Sequence, residues 1–250
     1  MNFDNHLFRS SSNGKLMTDP RSKSETLSET TKTYLTEIFI KKFFGRENDI
    51  DNKYLQKGIE CEPDSLSLLS EIRGKFIKKN VRFFENGMIC GTPDIINEDE
   101  IEDVKTCWSL FTFIDADVTK DYDWQLESYC ILTGKEDKRL TYTLVNTPAH
   151  LIDKEKKFAS YKYDTDSPSF TDACKQIEIN SIFDMELFLK QNPDYHFHNV
   201  LSDWNRDIPK HQRVKSFLIP RKSEDEINKL KNRIIESRKF LNSLSQKFNK

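Results

Sequence analysis

The 250-residue sequence contains no run of about eighteen apolar residues, so no stretch of it is expected to span a membrane as a helix. Residues Met1 to Pro20 lack the apolar segment of a secretory signal. No internal repeat is visible, which speaks against a solenoid or other repeat architecture. The five cysteines, at 61, 90, 107, 130 and 174, are odd in number and show no CxxC spacing, so neither a disulfide framework nor a paired-thiol metal site is indicated. Most of them sit among apolar neighbours, as small buried hydrophobes do, and a reducing cytosol is the simplest setting. Glycine is scarce, at seven residues, and the composition is polar, with 36% hydrophobic and 32% charged side chains. At this length one sizeable domain with appendages can bury a core.

A net charge of −2 does not mark a nucleic-acid binder, but the distribution of charge is uneven. From Glu85 to Asp103 there are seven acids and no Lys or Arg. From Lys210 to Lys250 there are twelve Lys and Arg against four acids. That tail is either a solvated basic helix or a phosphate-contacting edge beside an acidic metal well, and charge alone does not choose.

Residues 1–27 are rich in Ser, Asn, Lys and Asp and are expected to be a flexible segment. A single domain is expected over 28–250, with its core at about 55–148. Tyr34, Leu35, Ile38, Phe39 and Phe43 give a helix over about 28–44, stopped by Gly45. A second helix is expected over about 57–78, then a strand ending at Phe83-Phe84-Glu85 and a two-residue turn at Asn86-Gly87. The returning strand is Met88 to Ile96, and a third strand is Ile101 to Cys107. A helix over about 121–133 ends at Gly134, and Arg139 to Asn146 alternates like a strand. Beyond Pro148 only Ile182 to Lys190 reads as helix and Arg213 to Ile219 as strand. The C-terminal helix, about 223–248, opens on a Ser223/Glu226 capping box and carries Ile227, Leu230, Ile234, Leu241, Leu244 and Phe248 on one face, with Ser237 breaking the rhythm. The order describes a mixed α/β core.

The residues that carry chemistry begin at Asp103-Val104-Lys105. Strand alternation puts Asp103 and Lys105 on one face and Val104 on the other. An acid beside a lysine can bind a divalent cation and orient, or help deprotonate, an attacking water. Taken alone the tripeptide is weak, since Glu136-Asp137-Lys138 and Glu155-Lys156-Lys157 match it too. The β-rich surroundings single out Asp103. Asp94, in Gly91-Thr92-Pro93-Asp94, lies nine residues upstream, close enough along an antiparallel strand to approach Asp103. Gly91 and Pro93 suggest a bulge or bend that re-aims it. Two carboxylates aimed at one point repel unless a cation lies between them, and hard oxygen ligands favour magnesium or manganese over zinc.

A third acid is expected from the helix before the strands. Ile59, Leu66, Leu69, Phe76 and Ile77 all fall within about 60° of Glu62 on a helical wheel, whereas Glu60 lies about 160° away. A glutamate inside an apolar stripe needs compensation, which makes Glu62 the candidate, although a helix-start acid before Pro63 has its own reason to be there. Gln125 and Tyr129 share a helical face and could hydrogen-bond a DNA phosphate or steady the lysine, or simply belong to an amphipathic helix. Trp108, Phe111 and Phe113 are expected to be core. His196 and His198 could share a strand face, but nothing completes a zinc site around them.

In this order the motifs resemble the PD-(D/E)XK nuclease superfamily, and more narrowly its lambda exonuclease and YqaJ-like viral recombinase branch. The family's helix glutamate in Gly-x-x-x-Glu corresponds to Gly58 and Glu62, and its Gly-x-Pro-Asp to Gly91 and Asp94. The (D/E)xK tripeptide corresponds to Asp103-Val104-Lys105, with Asp where many members have Glu. The QxxxY helix shared with RecB-like nucleases corresponds to Gln125 and Tyr129. The likeness covers roughly 28–148 well and reaches more faintly to Gln212-Arg213-Val214-Lys215, leaving 151–209 unmatched. It implies an αβββαβ core, a central mixed sheet flanked by helices, and a metal-dependent DNA nuclease. It also implies Mg2+, or Mn2+, held by Glu62, Asp94, Asp103 and the Val104 carbonyl, with Lys105 positioning water and Gln125 and Tyr129 on the scissile strand. Arg213 and Lys215, together with Lys53 and Lys57, are the candidate DNA contacts. The expected role is a phage or prophage double-strand exonuclease of recombination in the bacterial cytosol. DNA ends are its substrate, a single-strand annealing protein is its partner, and a homo-oligomer remains open. An endonuclease with the same site, or a non-catalytic DNA-end-binding module, are the alternatives.

Overall fold

The computed structural model describes residues 1–22, 24–48, 52–198 and 204–248. In chain order it begins with β1 (Phe8–Arg9), α1 (Asn13–Leu16), α2 (Glu29–Phe44), α3 (Lys53–Glu60) and α4 (Glu62–Arg73). Then come β2 (Phe84–Glu85), β3 (Ile89–Gly91), β4 (Ile95–Ile96), β5 (Glu100–Thr106), α5 (Leu110–Ile114), α6 (Lys120–Thr133) and β6 (Asp137–Thr143). The chain closes with α7 (Ala149–Ser160), α8 (Pro168–Ile179), α9 (Met185–Gln191), β7 (Val214–Ile219) and α10 (Glu224–Phe248). No helix among the described residues is long and apolar enough to cross a membrane.

The central sheet is mixed, in the order β4-β5-β6-β7, as expected. The parallel pairing of β5 with β6, Asp103 opposite Leu140, requires a crossover, and α5 and α6 supply it. β4 and β7 run antiparallel to their neighbours. A smaller sheet, β1-β3-β2, lies beside it. The expected strand over 88–96 is therefore two strands in two sheets. Pro93 offers no amide for a ladder, and Thr92-Pro93-Asp94 makes the crossing between them. The α4 region also departs from expectation: the single helix over 57–78 breaks at Cys61, where the backbone turns to φ −92° and ψ 5°.

Several helix limits follow local chemistry. Ser28 accepts the Thr31 amide at the start of α2, and Gly45, at φ 65°, takes the left-handed turn that ends it. The Ser223/Glu226 capping box opens α10 as expected.

Residues 1–27 are not the flexible segment their composition suggested. Phe8 pairs opposite Ile89, and Phe3, Phe8, Leu16 and Met17 are buried with Leu35 and Phe39 of α2, Trp124 of α6 and Leu230, Ile234 and Leu241 of α10. Each such burial stabilises by about 1.5–3 kcal/mol, enough to order a polar segment around it. Asn13 ties the segment to α6 by donating to Ser128 Oγ at 2.7 Å. The a/d face of α10 is thus core, and Ser237 on it is fully buried. α6 lies between this cluster and a second one beneath the central sheet, formed by Ile101, Leu126, Leu140 and Leu144 among others. Every residue from Trp124 to Cys130 is consequently buried.

Candidate active site

Alternation along β5 sorts its side chains to two helices. Glu102 faces α4, where Arg73 grips it with two hydrogen bonds of 2.7 and 2.6 Å. Val104 packs on the Leu66, Leu69 and Ile95 cluster, and Thr106 shares a hydrogen bond of 2.9 Å with Ser65. The odd-numbered residues face α6. Asp103 Oδ1 accepts from Gln125 Nε2 at 2.9 Å, and Lys105 Nζ donates to Gln125 Oε1 at 3.2 Å. One amide thus holds the acid and the lysine in fixed relation. Gln125 Nε2 also donates to Tyr129 Oη at 3.1 Å.

Asp94 reaches the same place from the crossing between the sheets. The β4–β5 ladder covers only Ile101 and Glu102, and beyond it the Val104 amide donates to Asp94 Oδ2 at 2.8 Å. The crossing is clamped from outside by Asn80, whose amide donates to Asp94 O at 2.8 Å and whose side chain donates to Pro93 O at 2.9 Å. Gly91 has a further purpose beyond the expected bend. A Cβ there would stand 2.7 Å from Tyr129 Cε1 and 2.9 Å from Ser10 Oγ, so the tyrosine ring can settle only against glycine.

Burial and the charge of Asp103 push the Asp94 carboxyl up to about 8, with Glu62 adding a smaller push. Burial works against the Lys105 ammonium, but the Asp103 carboxylate beside it outweighs that and raises Lys105 above the ordinary lysine value. Lys105 Nζ stands 2.7 Å from Asp103 Oδ2 but off the axis of a good hydrogen bond, so this buried oxygen has no aligned donor. The Lys105 ammonium also lies 4.8 Å over the Tyr122 ring, a contact that no spacing in the sequence signals.

Glu62, Asp94, Asp103 and Lys105 line one open cleft of about 780 Å³, together with Gln125, Tyr122 and Trp108. Glu60 faces away, into a separate cavity, and lies 3.3 Å from His150. Of the two glutamates it is Glu62 that lines the cleft, although the reasoning that singled it out does not hold. Ile59 and Phe76, counted into the apolar stripe, are 66% and 86% exposed, and Ser65, Leu66, Leu68 and Leu69 are the buried residues that set the phase of α4. Glu62 is drawn aside by an ion pair with Lys79. Among the described residues no three Asp, Glu, His or Cys side chains are grouped closely enough to hold a metal ion as they stand. The fit to a cation rests on chemistry: two carboxylates lining one cleft, one of them pushed up by burial and by the charge of the other, and a buried carboxylate oxygen with no aligned donor.

Other expectations are corrected here. Gln125 and Tyr129 are buried and committed to Asp103, Lys105 and each other, so they position the site and do not reach out to DNA. Arg213 precedes β7, is buried, and pairs with Asp184 at 3.0 Å. Lys215 Nζ donates to the Ile114 and Ala116 carbonyls at 3.1 and 2.5 Å, closing the end of α5. Much of the basic tail is spent on the fold: Lys210, Arg221, Lys222, Lys229 and Arg233 each pair with an acid elsewhere in the chain. Lys57 is fully buried, donates to Trp108 O at 3.0 Å, and is lowered to about 7 by that burial. Lys53 pairs with Glu155 at 2.5 Å. Phe113 is core, but Phe111 is 71% exposed and Trp108 is half-buried in the cleft wall. The Asp137–Lys138 match lies at the start of β6 after all, where Lys138 is buried between Asp123 and Glu127 as a structural pair. His198 stands 3.7 Å from Glu178 and joins no metal-binding group.

No protein-family model matches the sequence, and no curated protein matches it. Solved structures do. A phage-related exonuclease from Haemophilus somnus 129PT is 24% identical, with a TM-score of 0.71, over 97% of this chain and 96% of that one. An alkaline exonuclease from Laribacter hongkongensis, LHK-Exo, is 12% identical with a TM-score of 0.58, over 98% and 95% of the two chains. The same enzyme in complex with dAMP gives 12% and a TM-score of 0.55, over 97% and 91%. The fold is that of these exonucleases. The expected αβββαβ class is met, and the likeness spans residues 151–209 as well, where the sequence matched no family pattern.

Proposed function

We propose that the chain is a metal-dependent deoxyribonuclease, a phage-type double-strand DNA exonuclease of recombination. The observation that carries the reading is the cleft in which Gln125 locks Asp103 to Lys105 while Asp94, held by the Val104 amide, lines the same space. Asp94, Asp103 and the Val104 carbonyl would hold a hard divalent cation, magnesium or manganese, with Glu62 joining on release from Lys79. When bound, such a cation neutralises charge on a phosphodiester and lowers the pKa of water.

The chain's own residues do the rest. Lys105, kept as an ammonium by Asp103, donates a hydrogen bond to the attacking water or to a phosphate oxygen and stabilises negative charge that develops beside it. Gln125 orients both groups, Tyr129 orients Gln125, and Gly91 lets Tyr129 in. That LHK-Exo, of the same fold, forms a complex with dAMP supports a nucleic-acid substrate. The likeness to a phage-related exonuclease supports the phage-type reading, and action in recombination in the bacterial cytosol with a single-strand annealing partner belongs to the same proposal. Digestion of a linear and a closed circular duplex, with and without magnesium, tests the reading. Loss of the linear substrate alone, and only with metal, is expected. Nicking or linearisation of the circle would make the same site endonucleolytic, and no metal-dependent cleavage of either would end the proposal.

A further inference from the structure

If the cleft hydrolyses DNA, something must hold the polyanion beside it, and much of the basic tail is already occupied. The segment from Arg73 to Phe84 carries five cations, Arg73, Lys75, Lys78, Lys79 and Arg82, and no acid. Arg73 is used on Glu102 and Lys79 on Glu62. Lys75, Lys78 and Arg82 are exposed and form no ion pair among the described residues. Between these cations stand Phe76, Val81 and Phe83, which are 86%, 83% and 59% exposed. So much apolar surface in so short a stretch is not explained by packing within the chain. Arg82 lies 4.7 Å over the Phe84 ring, so cation and aromatic already share one face.

The strap is also anchored, and anchored to the site. Ile77 is buried in the α4 cluster and its amide donates to Ser70 Oγ at 3.0 Å. Asn80 clamps the crossing that carries Asp94 and accepts the Arg82 amide at 3.1 Å. Lys79 and Asn80 line the cleft itself. A ligand lying on the strap is thus held at a fixed distance from Asp94.

Cations interleaved with exposed aromatic rings are the chemistry of single-stranded nucleic acid, in which phosphates meet the charges and bases stack on the rings. We infer that the strap over residues 75–83 binds the single-stranded stretch of DNA at the mouth of the cleft, Lys75, Lys78 and Arg82 taking phosphates and Phe76 and Phe83 taking bases. The inference rests on the nuclease reading of the cleft for its purpose, but not for its test.

The test measures binding of a labelled oligothymidylate to the full chain in metal-free buffer, across a salt series. A Lys75→Glu/Lys78→Glu/Arg82→Glu variant should bind about tenfold more weakly or worse, with the slope of log affinity against log salt shallower by about 2, from roughly 0.7 per phosphate for single strands. A Phe76→Ala/Phe83→Ala variant should lose about fivefold or more per ring with the slope unchanged. Both sets are solvent-exposed, and an unchanged melting temperature confirms the fold. Unchanged affinity and slope in both variants overturn the inference. So does a change of mass in sedimentation with DNA affinity intact, which would make the strap a contact between protein chains. If the wild type binds the oligonucleotide through the strap yet never cleaves DNA with metal, the nuclease reading fails while the strap stands.

Discussion

Replacing Gln125 by leucine removes the amide that joins Asp103, Lys105 and Tyr129 while keeping most of its volume. Three hydrogen bonds go at once, at 2.9, 3.2 and 3.1 Å. The one to the charged Asp103 is worth about 1.5–3 kcal/mol and the neutral one to Tyr129 about 0.5–1.5 kcal/mol. The bond to Lys105 is long, and Lys105 keeps Asp103 as a partner, so little is added there. Leucine recovers some apolar burial, so a loss of about 2–3 kcal/mol is expected. In a chain of this length that lowers the melting temperature by about 4–12 °C. Because Gln125 positions the lysine, kcat on linear duplex should fall about a hundredfold while DNA affinity in metal-free buffer stays near wild type. Stopped-time digestion and anisotropy binding separate the two. A tenfold loss of affinity with kcat retained would refute this reasoning and return Gln125 to the role of a DNA contact.

Asp94 makes the metal dependence a pH dependence. Its folded-state value of about 8 lies above its ordinary 3.8, so the stability this adds to the metal-free chain is complete below about pH 4 and is lost as pH rises through about 8. A cation must expel that proton, so affinity by calorimetry should rise about tenfold per pH unit up to about 8 and then level off. A flat profile from pH 6 to 8 would remove Asp94 from the ligand set. Gly91→Ala should cost about 1–3 kcal/mol, read by chemical denaturation, because its Cβ meets Tyr129 and Ser10. Arg213→Ala strands the partly buried Asp184 and should cost about 3 kcal/mol or more without altering DNA affinity.

The legibility of the molecule follows the range of its interactions. Asp103, Lys105, Gln125 and Tyr129 were readable because each lies on an element whose face is set by its immediate neighbours. Asp94 was readable through Pro93, although the crossing between two sheets was not. Glu62 was singled out over Glu60 with a wheel that ran through the Cys61 break, whereas the buried Ser65, Leu66, Leu68 and Leu69 set the phase of α4 itself. The N-terminal residues were opaque because Phe8 finds its partner at Ile89, a pairing that no local period announces. α7 and α8 were missed because their short apolar faces meet mainly each other, around a buried Lys156–Glu178 pair of 2.7 Å. The basic tail misled because composition counts charges and cannot see that Asp19, Asp123 and Glu127 neutralise them.

Asp103 is bonded to Gln125 and paired with Lys105, and one substitution at it decides whether the cleft is the seat of cleavage. Rigorously purified Asp103→Asn protein should show no magnesium-dependent digestion of linear duplex DNA. It should still melt cooperatively, below the wild-type temperature, because the largely buried Lys105 ammonium loses the carboxylate that pairs with it. Digestion by that variant at the wild-type rate would place the nuclease activity elsewhere and leave Asp94, Asp103 and Lys105 as a structural ion cluster.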